Sequence, residues 1–437
     1  MILLLTDTIT PRLQYIAEFI FTDNWRTEYS ITTNKKAFKK SNAIKINYTA
    51  DEFAMEAVNI QGSRLLFEKK IYIQNIETFE TNGFTAFFKN KNGPGNFPFD
   101  VFAATFFLLT RYEEYLHHAK DKYGRYDHRQ SLATTNGFLK IPLINYWLTL
   151  FAQYIKSKFS GFHITTKKFN FLPTYDVDIA FEWLHRGFIR NTGMILKLLL
   201  QHDYKKISAG FKILLGKRND PFDNFKFLDQ LHDQYNLQPL YFFLVSERNT
   251  KFDKNINPLT NGMQTLISYH KKKYEIGIHP SYFTSQNEKL LKEEKFLLED
   301  IAGNTIYKSR QHYLRFNLPD TYRKLLDAGL KDEYSMGYGT INGFRASFSG
   351  SFYWYDIERE QPTKLRIHPF CYMDSNAIFH QKNTPAEALE ELIYYYKACE
   401  KVNGTFISII HNHLTGSDNL EWNNVYEKFL AEINFQT

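Results

Sequence analysis

The distribution of apolar residues divides the chain near residue 165 into two parts with different predicted secondary structure. Before this point, short alternating runs at residues 65–67 and 71–73 predict strands, mixed with helical segments. From residue 168 onward, short apolar runs alternate with longer helical segments, which predicts parallel strands joined by crossover helices. We therefore predict a smaller α+β domain over residues 1–165 and an α/β domain over residues 166–437.

One helix of the first part has a clear start. Asp100 can cap it, and Phe102, Phe106, Leu109 and Leu116 then recur at helical spacing. We predict that this helix continues to the polar turn at residues 113–118.

Four apolar runs in the second part have the length and composition of buried strands. They cover residues 169–175, 240–245, 275–278 and 406–410, with helices predicted over residues 288–301 and 385–402 between them. Asp176, His279 and His411 directly follow three of these runs. Since the carboxyl ends of strands are where α/β sheets and barrels house their chemistry, this placement is the main functional signal.

Composition narrows the class of protein. Of 437 residues, 43% are apolar and 23% charged, which excludes disordered, collagen-like and coiled-coil classes. The apolar opening at residues 1–5 is too short for an export signal, and the two cysteines, Cys371 and Cys399, predict a reducing compartment. We expect a cytoplasmic protein.

The net charge of +7 is concentrated in one segment. Residues 185–218 hold eight Lys and Arg against the single acid Asp203, so this segment carries as much excess charge as the entire chain. The rest has no net basic character, so we expect no nucleic-acid partner. Leucines among these lysines are typical of an interfacial helix, which predicts contact with the inner face of a membrane; a solvated helix packed on the domain is the alternative.

The candidate chemistry lies at the strand ends. Asp176 and Asp178 would project to one side of a strand, but a turn at its end could give one a metal and the other a proton. His411 and His413 alternate in the same way, and either could be a catalytic acid. Acid pairs and single histidines such as His279 also occur in loops and strand ends for structural reasons alone.

Two further segments are rich in arginine. Residues 309–316 place Arg310, His312 and Arg315 in a strand-like stretch, and Arg345 lies among small residues at 343–347. Arginines in such places anchor a carboxylate, which belongs either to a ligand or to the protein itself.

The order of these motifs resembles the polysaccharide deacetylase superfamily, carbohydrate esterase family 4 and its relatives. The matching segments are residues 174–178, 278–281, 310–316, 336–338 with 343–346, and 410–412. The set is most similar to the version found in Bacteroidetes, which joins a deacetylase-like domain to an uncharacterised N-terminal domain. The resemblance then covers nearly the whole chain.

The resemblance implies a distorted (β/α) barrel, here with a basic helical insertion at residues 185–218, that binds one divalent ion, commonly zinc. Such proteins hydrolyse the acetamide of an N-acetylated sugar. By position, Asp176 matches the general base, Asp178 and His279 match metal ligands, Arg345 matches the arginine that orients the base, and His411 matches the general acid.

One position departs from the family pattern. The second metal histidine normally follows the first by four residues, where this chain has Phe283. Catalytic zinc sites use three protein ligands, so either His312 supplies the third or the site is degenerate. Arg310, Tyr282 and Trp354 are predicted to contact the substrate.

Three functions follow as hypotheses. The first is a metal-dependent hydrolase of the amide C–N bond in an N-acetylated sugar, with a cell-envelope or capsular glycan, or its lipid-linked precursor, as substrate. The second is a metal-free or degenerate carbohydrate-binding protein on the same fold. The third is a membrane-surface or scaffolding protein that uses residues 185–218. The oligomeric state stays open.

Overall fold

The computed structural model describes residues 1–50, 57–91 and 96–434. Within it the chain folds into two compact units. The first contains residues 1–170, 343–369 and 398–405, and the second contains residues 171–342, 370–397 and the chain from 406 onward. Residues 343–369 and 398–405 thus belong to the same unit as the N-terminal residues, although they lie beyond the boundary that the sequence predicts near residue 165.

Strands occur in both units. Their bounds are β1 Ile2–Thr6, β2 Tyr29–Thr32, β3 Ile44–Tyr48, β4 Val58–Asn59, β5 Phe79–Thr81, β6 Phe84–Ala86, β7 Asn170–Val177, β8 Leu240–Phe243, β9 Glu275–Ile278, β10 Lys308–Ser309, β11 Asp332–Glu333, β12 Phe352–Asp356, β13 Gln361–Ile367, β14 Tyr372–Met373 and β15 Thr405–His411.

The α-helices lie between and after these strands. Their bounds are α1 Pro11–Ala17, α2 Lys35–Lys40, α3 Val101–Leu109, α4 Leu132–Thr135, α5 Leu143–Lys158, α6 Phe188–Leu200, α7 Tyr204–Leu214, α8 Phe225–Gln234, α9 Asn261–Lys273, α10 Glu288–Ala302, α11 Asp320–Asp327, α12 Pro385–Glu400 and α13 Leu420–Asn434. Within the described ranges, none of the helices is both long and apolar enough to cross a membrane.

The first unit is built on a parallel sheet in the order β2-β1-β3-β4. Two antiparallel hairpins, β5–β6 and β12–β13, also belong to it. Buried ion pairs join its distant segments: Arg12 pairs with Glu360, and Arg345 pairs with Glu114 at 2.6 Å. These pairs explain why residues 343–369 cluster with the N-terminal part of the chain.

Helix α3 begins where the sequence predicts. The Asp100 side chain accepts a hydrogen bond from the backbone N–H of Ala103, which caps the helix. The helix ends at Leu109 rather than in the polar turn, because Arg111 takes a left-handed conformation with φ of 56°. A short 3₁₀ turn, Tyr112–Tyr115, then replaces the predicted continuation.

The strand predictions for the first part were wrong at two places. Leu65 and Leu66 lie in the 3₁₀ turn Arg64–Leu66, and residues 71–73 lie outside the strands. Ile73 is 87% exposed, so it has no apolar layer to pack against. An alternating run of three residues is too short to select a strand without a neighbouring strand.

The second unit has a parallel sheet with the strand order β11-β10-β9-β8-β7-β15-β14. The pairings β7–β8, β8–β9, β9–β10, β10–β11 and β14–β15 are all parallel. Apolar strand residues such as Leu240, Phe242, Ile407 and Ile409 form its core. The predicted α/β fold with a parallel core is confirmed; closure of these strands into a barrel stays a prediction.

A candidate metal centre at the carboxyl ends of the strands

The parallel sheet of the second unit brings its strand ends to one edge. Asp176 is the penultimate residue of β7, and Asp178 directly follows that strand. His279 follows β9, and His411 is the last residue of β15. Backbone hydrogen bonds continue the ladder past the strands: the His279 N–H donates to Phe243 O at 2.9 Å. The ladder thus extends to His279, whose side chain emerges at this edge.

Three side chains at this edge converge closely enough to share one cation. Asp178, His279 and His312 each offer a ligand atom, and these atoms lie within 4.8 Å of one another. The His279 Nε2 atom is 3.1 Å from Asp178 Oδ1, and the His312 Nε2 atom is 3.6 Å from Asp178 Oδ2. A carboxylate oxygen and two imidazole nitrogens are ligands that zinc accepts.

Partners on the far side of each ring orient both imidazoles. The His279 Nδ1 atom lies 2.5 Å from the Arg310 carbonyl oxygen, and the His312 Nδ1 atom lies 2.8 Å from Asp253 Oδ1. Since these oxygens can only accept, each Nδ1 carries a proton, and Nε2 is the nitrogen that each ring can offer to a metal. This is the tautomer that a metal ligand needs.

A local turn places His312 at this edge. Strand β10 ends at Ser309, so residues 310–316 do not form the strand-like stretch that the sequence suggested. Instead, His312 starts a 3₁₀ turn in which Tyr313 and Leu314 have φ angles of 59° and 51°. The His312 N–H donates to the Pro280 carbonyl, which ties this turn to the residue after His279.

Asp176 is held by Arg310. The Arg310 Nη1 atom donates to Asp176 Oδ1 at 2.7 Å, and its side chain is 0% exposed. The Arg310 guanidinium thus holds a protein carboxylate inside the core, and its contact with substrate stays a prediction. Arg310, and not Arg345, is the arginine that donates to Asp176, whereas Arg345 donates to Glu114.

His411 has its own carboxylate partner. Asp374, directly after β14, accepts from the His411 backbone N–H at 2.7 Å and lies 2.5 Å from Nδ1 of the ring. The His411 Nε2 atom then faces Asp178 Oδ2 at 3.7 Å. His413 packs edge-on against His411, and its buried Nδ1 atom has no hydrogen-bond partner in the part of the chain that the structure describes. Of the two histidines, only His411 is oriented by an acid.

Burial and neighbouring charges shift the pKa values of Asp178, His411 and His413 in different directions. Burial raises the pKa of Asp178, but His312, His279 and His411 outweigh it and hold that pKa well below its usual range. Burial lowers the pKa of His411, but Asp374 overcomes it and raises that pKa to about 10. Without such a partner, burial lowers the pKa of His413 to about 4.

The remaining predicted residues are not among the three converging ligands. Arg345 and Trp354 belong to the first unit, where Arg345 donates to Glu114 and the Trp354 Nε1 atom donates to Tyr115. Tyr282 is buried, stacks on Phe252 with ring centroids 3.7 Å apart and lies under the Arg315 guanidinium. The structure thus does not bring Arg345 and Trp354 into the same unit as the candidate metal ligands.

The residues present fit a divalent cation. Among the described residues, no donor hydrogen-bonds to the buried Asp178 Oδ1 atom, although burial of an unpaired carboxylate oxygen is costly. A cation between Asp178 and the two Nε2 atoms would satisfy this oxygen. Side-chain exposure of 16% at Asp178 and 9% at His411, against 3% at His279, shows from which side solvent reaches the site.

Sequence reasoning missed two supporting acids. Asp374 directly follows β14, so the same rule that found Asp176 and His411 could have found it, but a two-residue strand gives almost no sequence signal. Asp253 lies in a loop ten residues beyond β8 and has no local pattern. Its role depends entirely on how that loop folds back to His312.

Comparisons with known proteins find one protein family and several solved structures that are similar to this chain. Residues 2–160 match a protein family of unknown function, DUF7033. No curated protein matches the chain. Among solved structures, a polysaccharide deacetylase of Mycobacterium smegmatis aligns with 61% of this chain and 84% of its own, at 14% identity and a TM-score of 0.40.

Two further structures align over similar lengths. The polysaccharide deacetylase of Bacillus cereus covers 61% of this chain and 89% of its own, at 11% identity and a TM-score of 0.31. A mutant of a CE4 family pseudoenzyme with restored enzymatic activity covers 60% and 64%, at 9% identity and a TM-score of 0.28. With TM-scores this low, the chemistry must be inferred from the side chains themselves.

Proposed function

We propose that this protein is a metal-dependent hydrolase that removes the N-acetyl group from a sugar of a cell-envelope or capsular glycan. The observation that carries the proposal is the convergence of Asp178, His279 and His312, with Asp176 and the Asp374–His411 pair beside them. A zinc-type ligand set next to one carboxylate and one carboxylate-paired imidazole is what amide hydrolysis requires.

Asp178, His279 and His312 would hold the divalent ion, with Zn²⁺ best matched by two imidazoles and a carboxylate. Bound there, the ion would polarise the acetyl carbonyl and make a water molecule more acidic. Asp176, fixed through Oδ1 by Arg310, keeps Oδ2 to accept a proton from the attacking water. A new C–O bond forms at the acetyl carbon as the C–N bond breaks.

His411 supplies the second proton. Its Nδ1 atom is engaged by Asp374, so its Nε2–H is the group that can protonate the departing amine nitrogen. The products are acetate and a sugar with a free amine. The resemblance of the sequence motifs supports a glycan or lipid-linked glycan as substrate, and the two cysteines support a cytoplasmic location.

The second candidate is a metal-free carbohydrate-binding protein. Phe283 favours it, because this side chain stands where the family places its second metal histidine and is 43% exposed. Such a protein would keep the fold but would not hydrolyse the amide. Metal content separates the two candidates directly.

The test is metal analysis of the purified full chain, together with acetate release from N-acetylated oligosaccharides. We expect one divalent ion per chain, loss of activity after chelation and recovery when Zn²⁺ or Co²⁺ is added back. Asp176→Asn should keep the metal and lower acetate release by about 10²–10⁴-fold, because it removes only the base. The exposed His163→Ala serves as the control with no change. A metal-free protein that added Zn²⁺ or Co²⁺ does not activate would contradict the proposal.

A further inference from the structure

Helices α6 and α7 form a hairpin that exposes an unusual amount of apolar surface. In the part of the chain that the structure describes, 22 large apolar side chains are exposed, and nine of them lie between residues 188 and 215. Scattered exposed apolar residues are normal, but this concentration in one hairpin is typical of a contact surface.

On α6 the exposed apolar residues share one face. Phe188, Ile189, Leu196, Leu199 and Leu200 are between 42% and 86% exposed. At 100° per residue they fall within an arc of about 120° on the helical wheel. This arc adjoins the face that is packed inward, so the helix is apolar on two faces and only one of them is covered.

Helix α7 repeats the arrangement. Tyr204, Phe211, Leu214 and the following Leu215 are between 41% and 68% exposed and span an arc of about 100°. The inner face of α7 is occupied: a Cβ at Gly210 would lie 2.4 Å from the Trp183 ring. The outer apolar stripe is therefore additional to what the hairpin needs for its own packing.

The apolar stripes are bordered by cations. Lys197, Lys205, Lys212 and Lys217 are exposed, and within the described residues none of the four forms an ion pair. The same segment has Asp203 as its single acid, and the Asp203 side chain is used to cap α7. Apolar stripes with lysines at their borders are the pattern of a helix that lies in an anionic lipid interface.

The base of the hairpin is fastened beside the candidate metal centre. The Asp220 carboxylate accepts hydrogen bonds from the backbone N–H groups of Glu182, Trp183 and Leu184. These bonds join the residue after the hairpin to the residues before it. Asn412, next to His411, donates from Nδ2 to the carbonyls of Ile179 and Phe222 at 3.0 Å each. Both ends of the hairpin segment are thus tied to the strand that carries His411.

We propose that the α6–α7 hairpin docks the protein on an anionic membrane surface. A second copy of this chain would fit less well, because dimerisation through this face would bring together two segments that each carry an excess of seven positive charges. A lipid surface with negative headgroups takes up the leucines and phenylalanines and neutralises the lysines at once. The docking is independent of the hydrolase reaction and brings its site next to lipid-attached substrates if that proposal holds.

The test is sedimentation of the full chain with vesicles, without substrate. We compare vesicles of phosphatidylcholine with vesicles that also contain phosphatidylglycerol, and expect binding to the anionic vesicles that weakens with salt. The combined variant Phe188→Ser, Ile189→Ser, Leu200→Ser should bind at least about tenfold more weakly. The combined variant Lys197→Glu, Lys205→Glu, Lys212→Glu should lose about 100-fold or more, since each cation near such a surface contributes about fivefold.

Matched controls come from the same chain. Ile73→Ser with Phe296→Ser removes apolar side chains that are 87% and 70% exposed elsewhere, and should bind like the wild type. The combined variant Lys36→Glu, Lys69→Glu, Lys289→Glu makes the same change of charge outside the hairpin and is the control for the lysine variant in vesicle binding. Absence of wild-type binding, equal binding to neutral vesicles, or unchanged binding of the hairpin variants would overturn the proposal. A lipid-free dimer that the serine variant dissociates would assign the face to a second copy instead.

Discussion

At the scale of single residues, the proposed metal centre depends on His312. It supplies the third ligand atom, so His312→Ala should lower the metal affinity by about 100-fold or more, since even changes to residues behind a ligand cost 10–100-fold. Asp253→Asn, which weakens the bond that orients His312, should lower it by about 10–100-fold. Titration with Zn²⁺ and a competing chelator measures both.

Phe283→Ala is the informative control for this prediction. Its ring is 43% exposed, and the three converging ligand atoms come from Asp178, His279 and His312, so its removal should leave the zinc affinity unchanged. Equal affinities for the wild type and His312→Ala would show that the metal is held in another way.

Because Glu333 is buried, we expect the stability of the protein to depend on pH. Burial raises its pKa to about 7, so the folded protein keeps this proton where the unfolded chain has lost it. The stability this gives is present below about pH 4.5 and is lost as the pH rises to about 7. Between these values the wild type should lose about 3 kcal/mol more free energy of unfolding than Glu333→Gln.

Chemical denaturation at a series of pH values measures this difference. Glu293→Gln, at a side chain that is 58% exposed, should follow the wild-type curve. Parallel curves for the wild type and Glu333→Gln would show that Glu333 is ionised in the folded protein at all these values.

At the scale of elements, two glycines of the α6–α7 hairpin should respond in opposite directions to the same substitution. A Cβ at Gly193 meets nothing within 4 Å, so Gly193→Ala should stabilise the hairpin by up to about 1 kcal/mol. A Cβ at Gly210 would collide with Trp183, so Gly210→Ala should destabilise it. Hydrogen exchange of the hairpin amides measures both, and equal effects would contradict the packing of α7 on Trp183.

The same scale shows which elements the sequence can define. Strands β7, β8, β9 and β15 lie at predicted apolar runs, because a strand buried in a parallel sheet is apolar throughout. Residues 71–73 have a similar local pattern but no neighbouring strand, and they stay outside the sheet. Strand β14 has two residues and is defined by its pairing with β15, which no local pattern can reveal.

At the scale of the whole molecule, the first unit depends on segments that are distant in sequence. Arg12 is completely buried and pairs with Glu360, and Glu114 is buried between Arg111 and Arg345. We expect a fragment of residues 1–165 to be unfolded or aggregated, because each broken buried ion pair costs about 3–5 kcal/mol. Circular dichroism and size-exclusion chromatography test this.

The matched comparison is a designed variant in which flexible linkers connect residues 1–170, 343–369 and 398–405, the segments of the first unit. It restores both carboxylate–arginine partners and should be more stable than the fragment. A monomeric, cooperatively folded fragment of residues 1–165 would show that the later segments are dispensable.

The sequence by itself determined the parallel α/β core, the strand ends that carry Asp176, Asp178, His279 and His411, and the basic apolar segment at 185–218, because these depend on local periodicity and composition. The tertiary structure alone decided that His312 joins the site, that Arg310 rather than Arg345 holds Asp176, and that Asp253 and Asp374 orient the imidazoles. Those contacts join residues between 37 and 134 positions apart, and only the folding of the loops brings them within hydrogen-bond distance.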